Sequence, residues 1–194
     1  MTALIYATWE EGPSATVADQ RLATIRWARH TLSAGAVVVA IGTSDMYLSV
    51  GGVCEIAVID TDVRNLLDTL VNPRTPVTRS ERHFHQLSDD MLAGAPTFRA
   101  VLADLLSVTA GRTIAAYHAG FVQSMILREC GKAGMDPDHL EDEQAWRCIS
   151  RARSAAVGNP DRHLPLVGGP RALAPSHAAL QVLRDIATPD GGHR

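Results

Sequence analysis

Residues Ala36–Thr43 read Ala-Val-Val-Val-Ala-Ile-Gly-Thr, an unbroken apolar run followed by turn residues. Such a run has no polar face to turn to water, so it predicts a strand buried on both sides at the centre of an α/β sheet. The end of a strand of this kind is where an α/β enzyme usually keeps its reactive side chains. Here that end carries Ala40 and Gly42, which have no functional group.

The flanking pattern builds a single domain around this strand. Thr16 to Leu32 predicts a helix, with Leu22, Ile25, Ala28 and Leu32 inward and Trp27 over one edge. Val53–Asp60 and Leu66–Asn72 predict two more strands, and the short turn between them makes the pair a hairpin, so the sheet is mixed. Ser88 caps a short helix over 89–92, and Thr97–Ser107 is a helix with Phe98, Val101, Leu102 and Leu105 inward. Thr113–Tyr117 is a fourth strand. Gly120–Gly131, Glu141–Val157 and Pro175–Ala187 are helices, and the Gly/Pro-rich 158–175 stretch is irregular. The expected organisation is a preamble and packed helix over 1–34, the main domain over 35–187 and a loose tail over 188–194.

Composition bounds the function. The 194 residues are 46% hydrophobic and 20% charged, with a formal net charge of −3, so no global basic field favours nucleic acid. Lys132 is the only lysine, which leaves arginine as the cation for any phosphate contact; Arg79, Arg82, Arg147, Arg151 and Arg153 are candidates, with a solvated helix face as the alternative. Cys54, Cys130 and Cys148 are odd in number and widely spaced, a pattern that fits a reducing cytoplasm rather than a disulfide scaffold. Met1–Ala18 contains Glu10 and Glu11 and no long apolar core, so it reads as neither a signal peptide nor a membrane span.

Several short pieces come in a telling order: Glu55-Ile-Ala-Val, Leu67-Asp-Thr-Leu-Val-Asn-Pro73, His85 followed by Leu87-Ser-Asp-Asp-Met91, Ala95-Pro-Thr-Phe98, Ala116-Tyr-His-Ala-Gly-Phe121 and Arg171-Ala-Leu173. Together, over about Ala36–Ala187, they resemble the DnaQ-like 3′–5′ exonucleases of the DEDDh type. The resemblance implies a ribonuclease H-like fold, in which four carboxylates hold two divalent metals that hydrolyse a phosphodiester beside a general-base histidine. Its Asp-x-Glu positions correspond to Ala40 and Gly42. Its second Asp corresponds to Val122, and its histidine and last Asp to Pro170 and Pro175. A looser alignment puts His177 at the histidine and Val182 at the Asp. Either way no carboxylate remains, and Mg²⁺ needs oxygen ligands. The expectation is no metal, no cofactor and no two-metal nuclease activity.

The replacements imply a neutral, partly apolar cleft lined by Ala40, Gly42, Ser44, Tyr47, His85, Tyr117, Val122 and Pro170, of the kind small organic ligands favour. Asp45 and His118 are the candidate acid–base pair; a loop solubiliser and a hydrogen-bonded structural histidine are the alternatives. His83 and His85 alternate in what reads as an extended segment, and with His118 they suggest a new metal site, against a structural role for His85. Two functions follow. One is a repurposed, metal-independent enzyme of cyclase or isomerase type acting on a small molecule in specialised metabolism. The other is a non-catalytic pseudonuclease that binds nucleic acid or a protein; a residual exonuclease ranks below both. Homo-oligomerisation is left open.

Overall fold

The computed structural model describes residues 16–159 and 162–188. Helix α1 (Val17–Ser33) opens at Thr16, whose hydroxyl accepts the Asp19 N–H while the Asp19 carboxylate accepts the Thr16 N–H, a reciprocal capping box. Strand β1 (Val37–Thr43) follows, then β2 (Val53–Asp60) and β3 (Asn65–Leu70). Two short helices, α2 (Arg79–His85) and α3 (Asp89–Ala93), precede α4 (Phe98–Thr109). Strand β4 (Ile114–Ala116) leads into α5 (Ala119–Ala133), and after two 3-10 turns come β5 (Trp146–Cys148), α6 (Ile149–Ala156) and α7 (Leu173–Ala187).

The sheet order is β3-β2-β1-β4-β5, so the apolar run occupies the centre as its composition requires. The β1/β2 and β2/β3 pairs are antiparallel, whereas β1/β4 and β4/β5 are parallel. Side chains of a strand alternate between faces, and the two cores follow that alternation. Val37, Val39, Ile56 and Val58 pack against Phe98, Leu102, Leu105, Met125 and Ile126 of α4 and α5. Val38 and Ile59 pack on the other face, against Ala28 of α1, Ile149 of α6 and Leu180 and Leu183 of α7. Burial pushes the Cys54 thiol up to about 12 and the Cys130 thiol up to about 11, so both act as packing groups. No helix among the described residues is long and apolar enough to cross a membrane.

Four expectations are corrected. Leu22 is 53% exposed. The buried stripe of α1 instead uses Thr24, Ile25, Ala28 and Thr31, and the two threonine hydroxyls donate to the carbonyls of Gln20 and Trp27 four residues back. A threonine satisfied in this way can be buried like an apolar residue, which a count of hydrophobic positions misses. Second, the 141–157 stretch is not one helix: Trp146–Cys148 pairs in parallel with Ile114–Ala116 as the fifth strand, and the helix begins only at Ile149. Third, His83-Phe84-His85 is helical, closing α2, and residues two apart on a helix do not face each other. Fourth, the last helix starts two residues before Pro175, which sits in its first turn. The preamble over 1–15 and the tail over 189–194 lie outside the described residues.

Candidate functional site

The sheet brings Gly42 of β1 directly opposite Glu55 of β2. Both positions belong to the face covered by α7. A side chain at residue 42 would meet Glu55 Cβ at 3.4 Å and its Oε2 at 3.8 Å, so the Glu55 carboxylate lies beside the space that a longer residue there would enter. Glu55 is 1% exposed, and a buried carboxylate needs partners. Arg171 supplies them from the segment leading into α7: its Nε and Nη2 both reach Oε1, at 2.7 and 2.6 Å. The Ala172 N–H donates to Oε2 at 2.8 Å, and Ala172 is the N-cap of α7. Both carboxylate oxygens are therefore engaged, and the positive end of the α7 dipole adds to the hold. In return, the Glu55 hydrogen bond raises the Arg171 guanidinium above its ordinary range.

The other positions that the resemblance singles out surround this pair only in part. Ala40 is half-buried on the same face as Gly42, two residues back along β1, and pairs with Ala57. Val122 instead packs in the core beneath α4 and α5. Pro170 is exposed beside Arg171, and His177 is exposed on α7. Beside Gly42, where the sequence predicts a neutral, apolar lining, lies an ion pair whose carboxylate is buried and whose guanidinium is partly exposed.

These residues do not fit a two-metal centre. Ala40, Gly42, Val122, Pro170 and Pro175 offer no side-chain oxygen, and the Glu55 carboxylate already has three donors on it. Among the described residues no three His, Cys, Asp or Glu side chains gather as a metal-binding group. The suggested His83, His85 and His118 site is not assembled either. His85 is buried, with Nε2 3.0 Å from the Thr43 carbonyl and Nδ1 accepting the Leu87 N–H at 3.1 Å. Those bonds set the Nε2–H tautomer and engage both ring nitrogens. His85 holds the end of β1 against α2 rather than lining a cleft.

The loop after β1 is occupied with its own geometry. The Ser44 hydroxyl accepts the Gly52 N–H at 2.9 Å and lies 2.8 Å from the Thr75 hydroxyl, fully buried. Asp45 Oδ1 accepts the Tyr47 N–H at 2.9 Å, and Tyr47 itself is 70% exposed. Asp45 belongs to the α2 side of the molecule. There burial raises the Glu81 carboxyl, His85 opposes that shift, and the Asp45 charge adds to it.

His118 faces a different way. It is the N-cap residue of α5 and makes no side-chain cap there. Its Nδ1 lies 3.2 Å from the Ser150 hydroxyl of α6. Its ring stacks on His163 with centroids 5.3 Å apart and planes 14° from parallel, and Tyr117 meets it edge-on at 4.9 Å. Desolvation by these walls, then the neighbouring His163, lowers the His118 imidazolium below its ordinary range. Among the described residues no hydrogen bond or ion pair joins Asp45 to His118, so the expected acid–base pair is not formed as a direct contact.

Around His118 the structure opens a shallow depression of about 180 Å³ bounded by Ser150, Ser154, Arg162, His163 and Leu164. Tyr117 lies beneath it: its hydroxyl donates to the Leu164 carbonyl and accepts from Arg153 Nη1. Glu55 and Arg171 entered the sequence reading only as framework, and Ser150, Arg162 and His163 did not enter it. Glu55 left a legible signal, a charge between apolar residues in the interior of a strand that closes on Asp60. The depression left none, because its residues come from three separate stretches.

No protein-family model matches the chain, and no curated protein resembles it in sequence. Solved structures do resemble it. E. coli Exonuclease I in complex with a dA16 oligonucleotide matches with a TM-score of 0.66 at 11% identity, over 80% of this chain and 41% of that one. The apo form of exonuclease I gives 0.63 at 11% identity, over 80% and 43%. The product-bound form gives 0.63 at 11% identity, over 80% and 44%. The chain thus spans less than half the length of the exonuclease I chains it matches. At this identity the likeness concerns the fold alone. The chain carries the DnaQ-like, ribonuclease H-like exonuclease fold found in E. coli Exonuclease I.

Proposed function

We propose that this chain is an exonuclease-fold protein that does not carry out two-metal phosphodiester hydrolysis and that holds a small organic ligand at the C-terminal end of its sheet. One observation carries the reading. The carboxylate beside Gly42 is bound on both oxygens by Arg171 and the Ala172 N–H, which leaves a charge-neutral clamp in place of an open set of metal-binding oxygens. A displaced metal set also removes the cations that would balance a polynucleotide backbone there. Turnover of a cyclase or isomerase type is the enzymatic form of this proposal, with His118 as the proton-transfer group, held by Ser150. Binding of nucleic acid without cleavage is the second reading, favoured by the arginines along α6 and by the fold's likeness to exonuclease I in complex with oligonucleotides.

Fluorescence polarisation of labelled single-stranded DNA and RNA across a salt series separates the two. The expected result is no saturable binding up to tens of micromolar at low salt, because the net charge is −3. Micromolar binding that weakens steeply with salt would replace the small-ligand reading with the pseudonuclease one.

A further inference from the structure

We infer that the depression between the N-terminus of α5, the first turn of α6 and the 162–164 segment is a binding site for the oxyanion of a small molecule, in particular a phosphate monoester. The inference deepens the small-ligand reading and rests on it for the kind of ligand, but not on whether Glu55 takes part in metal binding.

The lining has one sign. His118, His163, Arg151 and Arg162 can each donate to an anion, Ser150 adds a hydroxyl, and none of the described lining residues is acidic, although the chain as a whole has a net charge of −3. Two helix N-termini meet there as well. His118 caps α5 without a side-chain bond, and Cys148, the N-cap of α6, makes none either. Backbone N–H groups and helix dipoles at such ends favour negative charge, here beside the guanidinium of Arg162 and the ring N–H donors of His118 and His163, which would favour it independently.

The walls are formed in advance. The Ser154 hydroxyl donates to the Arg162 carbonyl at 2.6 Å, Tyr117 donates to the Leu164 carbonyl, and Arg153 Nη1 reaches the Pro165 carbonyl at 3.0 Å. Three grips on the backbone carbonyls of residues 162, 164 and 165 hold this irregular segment in place and leave the lining side chains of Arg162 and His163 to the depression. Size then selects the ligand part. A volume near 180 Å³ falls below the roughly 300–1,000 Å³ that encloses a whole drug-sized molecule, so the site grips a head group and leaves the rest of the ligand outside. The stacked imidazoles repel when both carry a proton, and a bound dianion between their edges and Arg162 removes that repulsion. Among the described residues, the other charged or titratable groups around them include Arg151 and Arg153 of α6 and the Cys148 thiol, 3.3 Å from the Ser150 hydroxyl.

The test is a titration of the full chain followed by the histidine ring proton signals in NMR, with inorganic phosphate and, for the pH series, inorganic sulfate, whose charge does not change over the range. Saturable shifts of the His118 and His163 signals are expected, with sulfate binding at least fivefold tighter at pH 6 than at pH 8, because binding favours the protonated rings. His163→Ala and Arg162→Gln, both at exposed positions, should each weaken binding about tenfold and leave the melting temperature unchanged, a tenfold loss being the size of one charge-assisted hydrogen bond. Absence of saturable shifts overturns the site, as does undiminished binding in the double variant. Displacement of phosphate from His118 by an oligothymidylate with hydroxyl ends would reassign the anion to a nucleic-acid backbone and overturn the small-molecule assignment. If phosphate binds as described while the protein degrades DNA with metal, this site stands and only the reading of the Glu55 clamp falls.

Discussion

Arg171→Ala is expected to destabilise the fold by about 2–3 kcal/mol, read as a lower urea midpoint at constant slope. The Glu55 carboxylate is 1% exposed and takes two of its three donors from this guanidinium. Removing the arginine leaves a buried charge held by the Ala172 N–H alone. The loss stays at the lower end for a broken buried pair because the Arg171 side chain is 45% exposed, so water can follow it in. Arg171→Lys should recover only part of the loss, since an ammonium cannot present the planar fork that places Nε and Nη2 on one oxygen. A change below about 0.5 kcal/mol in Arg171→Ala would mean that the carboxylate is solvated and that the clamp is not a structural unit.

Gly51→Ala is expected to cost as much, through the loop that closes over the end of β1. A Cβ at this residue would stand 2.2 Å from the Asp45 carbonyl oxygen and 3.1 Å from its carbon, both backbone atoms that cannot rotate away. The loop is held from the other side too. Arg128 donates to the Gly51 carbonyl and, at 2.6 Å, to that of Ser49, and Lys132 Nζ lies 3.2 Å from the Gly51 carbonyl. Relief of the clash must break some of these bonds, a cost of about 2–3 kcal/mol, or about 6 °C of melting temperature for a chain of this size. Gly94→Ala is the control, because a Cβ at Gly94 meets nothing within 4 Å. Equal melting temperatures for the two variants would show that the loop adapts freely.

Much of the fold was legible because its long elements carry strong patterns. The unbroken apolar run of β1 and the largely apolar, fully buried β2 name the middle of the sheet, and the inward positions of α4 recur at helical spacing and are all buried. The failures have local causes. Strand β5 is three residues long, too short for alternation to show, and its pairing with β4 is set from a distant stretch. His83-Phe84-His85 alternates like a strand, yet Thr78 caps a helix whose last residue is His85. Thr24 and Thr31 are buried because their hydroxyls are satisfied within the helix.

The candidate site was less legible for a related reason. The blank positions Ala40 and Gly42 could be read directly, but what fills the space beside them depends on Glu55 from the next strand and Arg171 from far along the chain. A buried glutamate in the interior of a strand demands a partner, and sequence order alone does not name it. His118 stands out in the sequence at the β4–α5 junction, while its neighbours Ser150 and His163 come from elements that only the tertiary fold brings together.

The most direct measurement is a cleavage assay of 5′-labelled single-stranded DNA and RNA by the purified chain in millimolar Mg²⁺ and, separately, Mn²⁺. With the Glu55 carboxylate bound on both oxygens and no side-chain oxygen at residues 40, 42, 122 or 170, no metal-dependent shortening is expected in either ion, and Glu55→Gln should behave like the parent. A ladder of products shortened from the 3′ end that requires the metal and disappears in Glu55→Gln would contradict the account, because Glu55 would then be a metal-binding acid and not half of a clamp.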